Sequence, residues 1–218
     1  MTIHIHGIAA SRALRPLWAA LELELPFEHV PTPYQGGATR TAEFLALNPN
    51  GHIPVLVDER DYGPVVVWES MACALYLARV HGRGDGSGLA PATPREEAQA
   101  LRWSFWAMSE LEKDALTVLM HRMAMPEGQR KPELADAAEK RLRVPLAVLE
   151  GELQAQHDRG QAWLGAARFT IADLCVASVA MWLRPATELM AGHPLTQAWL
   201  KACLDRPAYR QARALGSS

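Results

Sequence analysis

A change of period near residue 83 limits this chain to few architectures. From Met1 to Gly82, short β-type runs alternate with segments of 3.6-residue apolar period, the signature of an α/β unit. Beyond RGDGSGLAPATP (Arg83 to Pro94), rich in Gly and Pro, long apolar-periodic helices follow with no convincing strand among them. The expected organisation is an α/β domain over 1–82, a linker over 83–94 and an all-helical domain over 95–218. A length of 218 residues suffices for two compact cores, and 49% hydrophobic with 21% charged residues fits neither disorder nor a fibrous repeat.

In the first half, Thr2 to His6 alternates as a strand, and Leu14, Leu17, Trp18, Leu21 and Leu25 form one helical stripe stopped by Pro26. The pattern leaves two starts open for this helix. Ser11 would cap it, but Pro16 then lies inside, whereas a start near Arg15 avoids that. Phe27 to Val30 reads as a strand, Thr41 to Leu47 as a short helix, and Val55–Val57 with Val65–Trp68 as an antiparallel pair. Ser70 to Val80 then forms a helix ending at Gly82.

In the second half, helices are expected from Pro94 to about Met125, from Pro132 to about His157, and over two shorter stretches opening at Pro194 and Pro207. Phe169-Thr170-Ile171-Ala172-Asp173 carries a capping box, with Phe169 and Leu174 as its hydrophobic staple. Its role is structural.

A net charge of −2 with no basic face gives nucleic acid nothing to hold. No apolar run reaches the roughly 18 residues of a membrane span, and MTIHIHG lacks the basic and apolar regions of a leader, so a cytoplasmic location is expected. Cys73, Cys175 and Cys203 read as reduced core residues, and Ser11-Arg12-Ala13-Leu14 is no Cys-x-x-Cys motif. His4 and His6 share a strand face but lack a third ligand, so no metal is expected.

Three places carry candidate chemistry. Pro54 stands between a turn and a strand, where an X-Pro bond occurs as cis or trans; a turned-out backbone at Ile53 would pair with an extended peptide. The plainer reading is a strand-opening proline. Glu69-Ser70 opens a helix directly after a strand, placing free N–H groups before a carboxylate and Glu69 before an ammonium; plain N-capping is the competing reading. Ser11, in the loop after the first strand, is a hydroxyl donor near a helix start. Trp103, Trp106, Met108, Met120 and Met123 suit a helical core better than a ligand pocket.

Together HGIAASRALRPLW, EFLALNPNGHIPVLVD, WESMACALYLARV and FTIADLCVA resemble the cytosolic glutathione transferase family, over essentially the whole chain and in the family's order. The likeness is to a bacterial serine-type (theta/phi-like) member: the first loop has no tyrosine, no cysteine and no Ser-Ser-Cys run. The resemblance implies a thioredoxin-like domain with a four-stranded mixed sheet, then an all-helical domain, usually in a homodimer. It further implies that Ile53 pairs with the cysteinyl part of glutathione beside a cis-Pro54, and that Glu69 and Ser70 hold the γ-glutamyl end. His52 and Arg40 would lie near the glycine carboxylate, His52 standing where Lys or Gln is commoner. Ser11 would donate to the glutathione sulfur.

The expected function is therefore attack of glutathione thiolate on an apolar electrophile, or reduction of an organic peroxide, with glutathione as co-substrate and no metal. The second-substrate pocket is expected from Ile8, Arg12, Met108, Glu112, Ala115 and Leu119, the last four at i, i+4, i+7 and i+11. The alternative is a non-catalytic module that binds glutathione, hydrophobic ligands or a protein partner.

Overall fold

In a computed structural model, residues 2–215 are described, and they divide into two compact units, 2–92 with 205–215 and 93–204. The first unit is built on a four-stranded sheet of β1 (Ile3–His6), β2 (Glu28–Val30), β3 (Val55–Asp58) and β4 (Val65–Trp68), in the order β2-β1-β3-β4. β1 is parallel to β2 and antiparallel to β3, which is antiparallel to β4. This is the mixed sheet that the resemblance implied. β3 is buried along its whole length, as its unbroken Val-Leu-Val run requires, whereas β1 alternates buried and half-buried residues.

Helix α1 (Leu14–Glu22) starts between the two expected positions. Pro16 is its third residue, where the missing N–H would have no partner inside the helix, so the proline costs no hydrogen bond. α2 (Ala42–Leu47) is capped by Thr41, whose hydroxyl accepts from Phe44 N–H at 3.2 Å. α3 (Ser70–His81) closes the α/β part.

The stretch expected as a linker packs instead on this first unit. Leu89 and Ala90 are buried, and a Cβ on Gly82 would come within 2.5 Å of the Ala90 methyl. The last helix also belongs here. Glu22 of α1 accepts two hydrogen bonds from Arg206, both 2.6 Å, and one from the Trp18 indole at 2.9 Å; Trp18 and Tyr209 meet edge to face at 5.0 Å.

The second unit contains α4 (Pro94–Trp106), α5 (Glu112–Leu119), α6 (Pro132–His157), α7 (Ile171–Ala180), α8 (Thr187–Ala191) and α9 (Pro194–Leu204); α10 (Pro207–Ala214) is the helix that joins the first. All ten residues of α7 are buried, which fits a segment apolar on every face. The helix expected without a break from Pro94 to about Met125 contains two π turns, Ala107–Leu111 and Met120–Ala124. Each widens the turn and shifts the faces on either side out of a strict 3.6 period. α8 has no counterpart in the sequence expectation. None of the described helices is long and apolar enough to cross a membrane.

Candidate active site

Sheet register brings the three candidate segments to one end of the strands. His6 pairs with Val55, and Val55 pairs with Trp68, so these residues form one row across β1, β3 and β4. The chain leaves that row after His6 into the loop carrying Ser11, enters it at Val55 from Ile53-Pro54, and leaves it after Trp68 into Glu69-Ser70. Antiparallel pairing of the central strand is therefore what makes these distant segments neighbours.

The turn before β3 is organised by Asn48, which is buried. Its amide donates to His52 C=O at 2.8 Å, and its oxygen accepts from Asn50 N–H at 3.0 Å and from the Asn50 amide at 3.1 Å. Gly51 follows with φ 62°, and a Cβ there would lie 2.9 Å from Thr39 C=O and 2.5 Å from the Arg40 guanidinium, which folds across the turn and donates to Asn50 C=O at 3.4 Å. Arg40 and His52 are both exposed.

The Ile53–Pro54 peptide is cis. Ile53 packs against the buried cluster of Phe44, Val55 and Val57, while its N–H and C=O engage none of the described residues. Its backbone thus keeps both groups available for an added extended peptide.

At the opposite corner, Glu69 takes φ 70° and ψ 115°, a conformation that costs a side-chain-bearing residue on the order of 1–3 kcal/mol. Glu69 occupies the cap position of α3 yet supplies no side-chain cap, so the first N–H groups of the helix remain directed outward with the positive end of its dipole. Exposed Glu69 and buried Ser70 are adjacent at that end. The Ser70 hydroxyl accepts from Arg15 Nη1 at 2.7 Å, a bond between α1 and α3 that spans 55 residues of sequence.

Gly7 sets the first loop. With φ 136° and room for no side chain, it lets Ala13 and Ile53 approach to positions where a Cβ on residue 7 would lie 2.6 and 3.3 Å from theirs. Ser11 is half-buried; its hydroxyl donates to Ile8 C=O at 2.7 Å and accepts from Ala13 N–H at 3.1 Å. Ser11 therefore caps the turn that precedes α1 rather than α1 itself, whose cap position is Ala13.

The cysteines lie elsewhere, all buried and none in a disulfide. Burial pushes the Cys73 thiol up to about 12, and its Sγ–H is directed at Val67 C=O at 3.3 Å, which suits an inert packing residue.

The register thus brings the segments of Ser11, Ile53-Pro54 and Glu69-Ser70 to one end of the strands, with His52 on the turn beside them and the Arg40 guanidinium reaching across it. Ile8 is half-buried and Arg12 exposed in the first loop. Of the expected pocket residues in the second unit, Met108 lies in the first π turn and Leu119 is half-buried, while Ala115 has no exposed surface and Glu112 has 5%. The π turn over Ala107–Leu111 breaks the periodicity from which that face was read. Sequence reasoning missed Arg15, Asn48 and Gly7. The Asn-Pro-Asn-Gly turn could have pointed to Asn48, whereas Arg15 beside an apolar stripe gave no sign that it would be buried.

Models of the glutathione S-transferase N-terminal and C-terminal domains match residues 10–80 and 108–207. Glutathione S-transferase GstB of Escherichia coli strain K12 is 30% identical over 190 residues, covering 87% of this chain and 86% of its own. The apo structure of glutathione S-transferase III aligns with a TM-score of 0.80 at 29% identity, over 98% of this chain and 96% of that one. Ure2p in complex with glutathione shares the fold, with a TM-score of 0.82 at 21% identity over 97% and 94% of the two chains. The chain belongs to the glutathione S-transferase family.

Proposed function

We propose that this protein is a serine-type glutathione transferase that holds glutathione along the Ile53 edge and directs its sulfur toward the loop of Ser11. The observation that carries the proposal is the shared sheet row of His6, Val55 and Trp68, beyond which all three segments emerge together. The Ile53 N–H and C=O would pair with the cysteinyl backbone, and the α3 start with Ser70 would take the γ-glutamyl carboxylate. Glu69 would take the ammonium, with Arg40 and His52 toward the glycine carboxylate.

A free thiol has a pKa of about 8.5, so only a few per cent is thiolate at neutral pH, and each unit of depression corresponds to about 1.36 kcal/mol. Donation from Ser11 would stabilise the anion. Its hydroxyl proton faces Ile8 C=O, so rotation about the Cβ–Oγ bond must accompany that role. The thiolate then attacks an electrophilic carbon: a C–S bond forms, the leaving group departs with its electron pair, and the thiol proton passes to solvent. With an organic peroxide the thiolate takes the terminal oxygen and releases an alcohol, and a second glutathione reduces the sulfenic acid to give disulfide and water.

Self-association and a cytoplasmic location belong to the same reading. On the second unit, Phe105 is 69% exposed beside Leu101 on α4, and Val144 is 72% exposed beside Val148 on α6. The two helices are linked by Arg102 and Glu152 at 3.4 Å, and such apolar surface suits a homodimer contact.

Calorimetric titration with reduced glutathione is expected to give micromolar to millimolar binding, weakened by about tenfold in Ser70→Ala because a hydrogen bond to a charged group is lost. No detectable binding by the wild type would overturn the proposal. In Ser11→Ala, turnover of an apolar electrophile should fall by more than about tenfold while glutathione still binds. The engaged Ser11 proton favours a second reading, a glutathione-binding module without chemistry. Binding with no turnover by the wild type toward electrophiles or peroxides would support it.

A further inference from the structure

Arg15 is 1% exposed and lies in α1 among Leu14, Pro16, Leu17 and Trp18, all buried. A guanidinium remains charged at any physiological pH, and removing it from water costs several kcal/mol unless its N–H groups are well used. Its Nη1 meets the Ser70 hydroxyl at 2.7 Å, at the first residue of α3. We infer that Arg15 is a positioning residue for glutathione, turning the Ser70 hydroxyl into a donor and placing a fixed positive charge behind the γ-glutamyl carboxylate. This inference rests on the reading of the α3 corner given above.

A serine hydroxyl has one proton and two lone pairs, and a guanidinium has protons only. With Arg15 donating into Oγ, the Ser70 proton cannot point back at Arg15. The remaining direction that satisfies it is an acceptor in front of the helix. An isolated serine at a helix start often turns inward to accept from a backbone N–H, and the Arg15 contact competes with that arrangement. A donor already polarised by a cation also makes a stronger bond to an anion. The N–H groups of α3 attract any anion; Arg15 with Ser70 adds a directed bond at one place, which favours the α-carboxylate over a ligand lacking it.

The test compares glutathione with 4-aminobutanoyl-cysteinyl-glycine, which is glutathione without its α-carboxylate. Calorimetry on the full chain gives both affinities for wild type, Arg15→Met and Arg15→Met/Ser70→Ala. The wild type should prefer glutathione by about tenfold or more, and Arg15→Met should lose most of that preference by weakening glutathione binding alone. The added Ser70→Ala change should cost less than about twofold, because the hydroxyl is no longer directed. In turnover, KM for glutathione should rise while kcat stays within about threefold, a split that general loosening of the fold would not produce. If Arg15→Met does not melt cooperatively, Arg15→Gln carries the test, with at least about a threefold loss of preference expected. A folded variant that keeps the wild-type preference overturns the inference. Equal binding of the two ligands by the wild type overturns the inference together with the γ-glutamyl placement at α3.

Discussion

Asp173→Ala is expected to lower the thermal midpoint by about 10 °C, corresponding to roughly 3–5 kcal/mol in a chain of this size. Asp173 is fully buried, and four donors converge on its carboxylate. Leu164 N–H at 2.8 Å and the Trp199 indole at 2.9 Å reach one oxygen; Thr170 N–H at 3.0 Å and the Thr170 hydroxyl at 3.2 Å reach the other. The alanine variant leaves all of them without that acceptor in a buried site, which is the costly half of any hydrogen-bond deletion. It also removes the capping box that starts α7, the helix on which the second unit is packed.

Asp173→Asn separates charge from hydrogen bonding. Burial pushes the Asp173 carboxyl upward, against the pull of its donors from Leu164, Trp199 and Thr170. A carboxyl whose folded value is raised contributes least at high pH, and stability improves as pH falls through the folded value toward about 3.9, the unfolded one. The asparagine variant should lose that acid-side gain while retaining one acceptor, and its midpoint at pH 7 should lie between wild type and alanine. Melting curves from pH 7 to pH 4 check both statements. Equal midpoints for the alanine variant and the wild type would remove Asp173 from the account of the second unit.

Much of this arrangement is legible in the sequence because local chemistry and tertiary structure agree. Thr170 and Asp173 satisfy a helix start within four residues, and the staple residues Phe169 and Leu174 are both buried as the motif requires. The strands around Pro54 and the start of α3 are likewise marked by short-range signals. What stays hidden depends on contacts distant in sequence. Leu89 and Ala90 lie in a Gly- and Pro-rich stretch that reads as a linker, yet both are buried, Ala90 close against Gly82 at the end of α3. α10 has the same helix-opening proline as α9, and contacts distant in sequence, the Arg206–Glu22 pair 184 residues apart and Trp18 against Tyr209, assign it to the first unit. The π turns leave no period of their own, since one extra residue in a turn looks from sequence like a small shift of the apolar stripe. Arg15 is the extreme case. Its neighbours predict a helix, but only the fold brings it beneath Ser70.

The far end of α3 carries the second large effect. Asp58 ends β3 with no exposed side chain, and one of its oxygens accepts from the Tyr76 hydroxyl at 2.8 Å, lies 2.7 Å from His81 Nε2 and is paired with Arg60 at 2.5 Å. Asp58→Ala should therefore lower the thermal midpoint by several degrees, because Tyr76, His81 and Arg60 all lose the oxygen they share. Burial pushes the Asp58 carboxyl up, but hydrogen bonds from His81, Tyr76 and Arg60 outweigh it and hold the group below the ordinary carboxylate range. The stabilisation is therefore fully present above the unfolded value near 3.9 and is lost as pH falls through the lower folded value. Asp58→Asn keeps the size of the side chain and removes this titration, so the gap between wild-type and Asn midpoints should be constant from pH 7 to about pH 5 and narrow below about pH 4. A gap that persists unchanged in acid would show that the carboxylate's charge is not what ties β3 to α3. β3 spans four residues from Val55, in the row next to the proposed site, to Asp58, which pairs with Ile3 and Val65 at the opposite edge. At about 3.4 Å per residue that separation is some 10 Å, and Ser70 lies a further helix length from His81. Folded Asp58→Asn should therefore bind glutathione with wild-type affinity while melting earlier. Loss of both together would mean that α3 transmits disorder from one end to the other, and that the site depends on the whole helix being anchored.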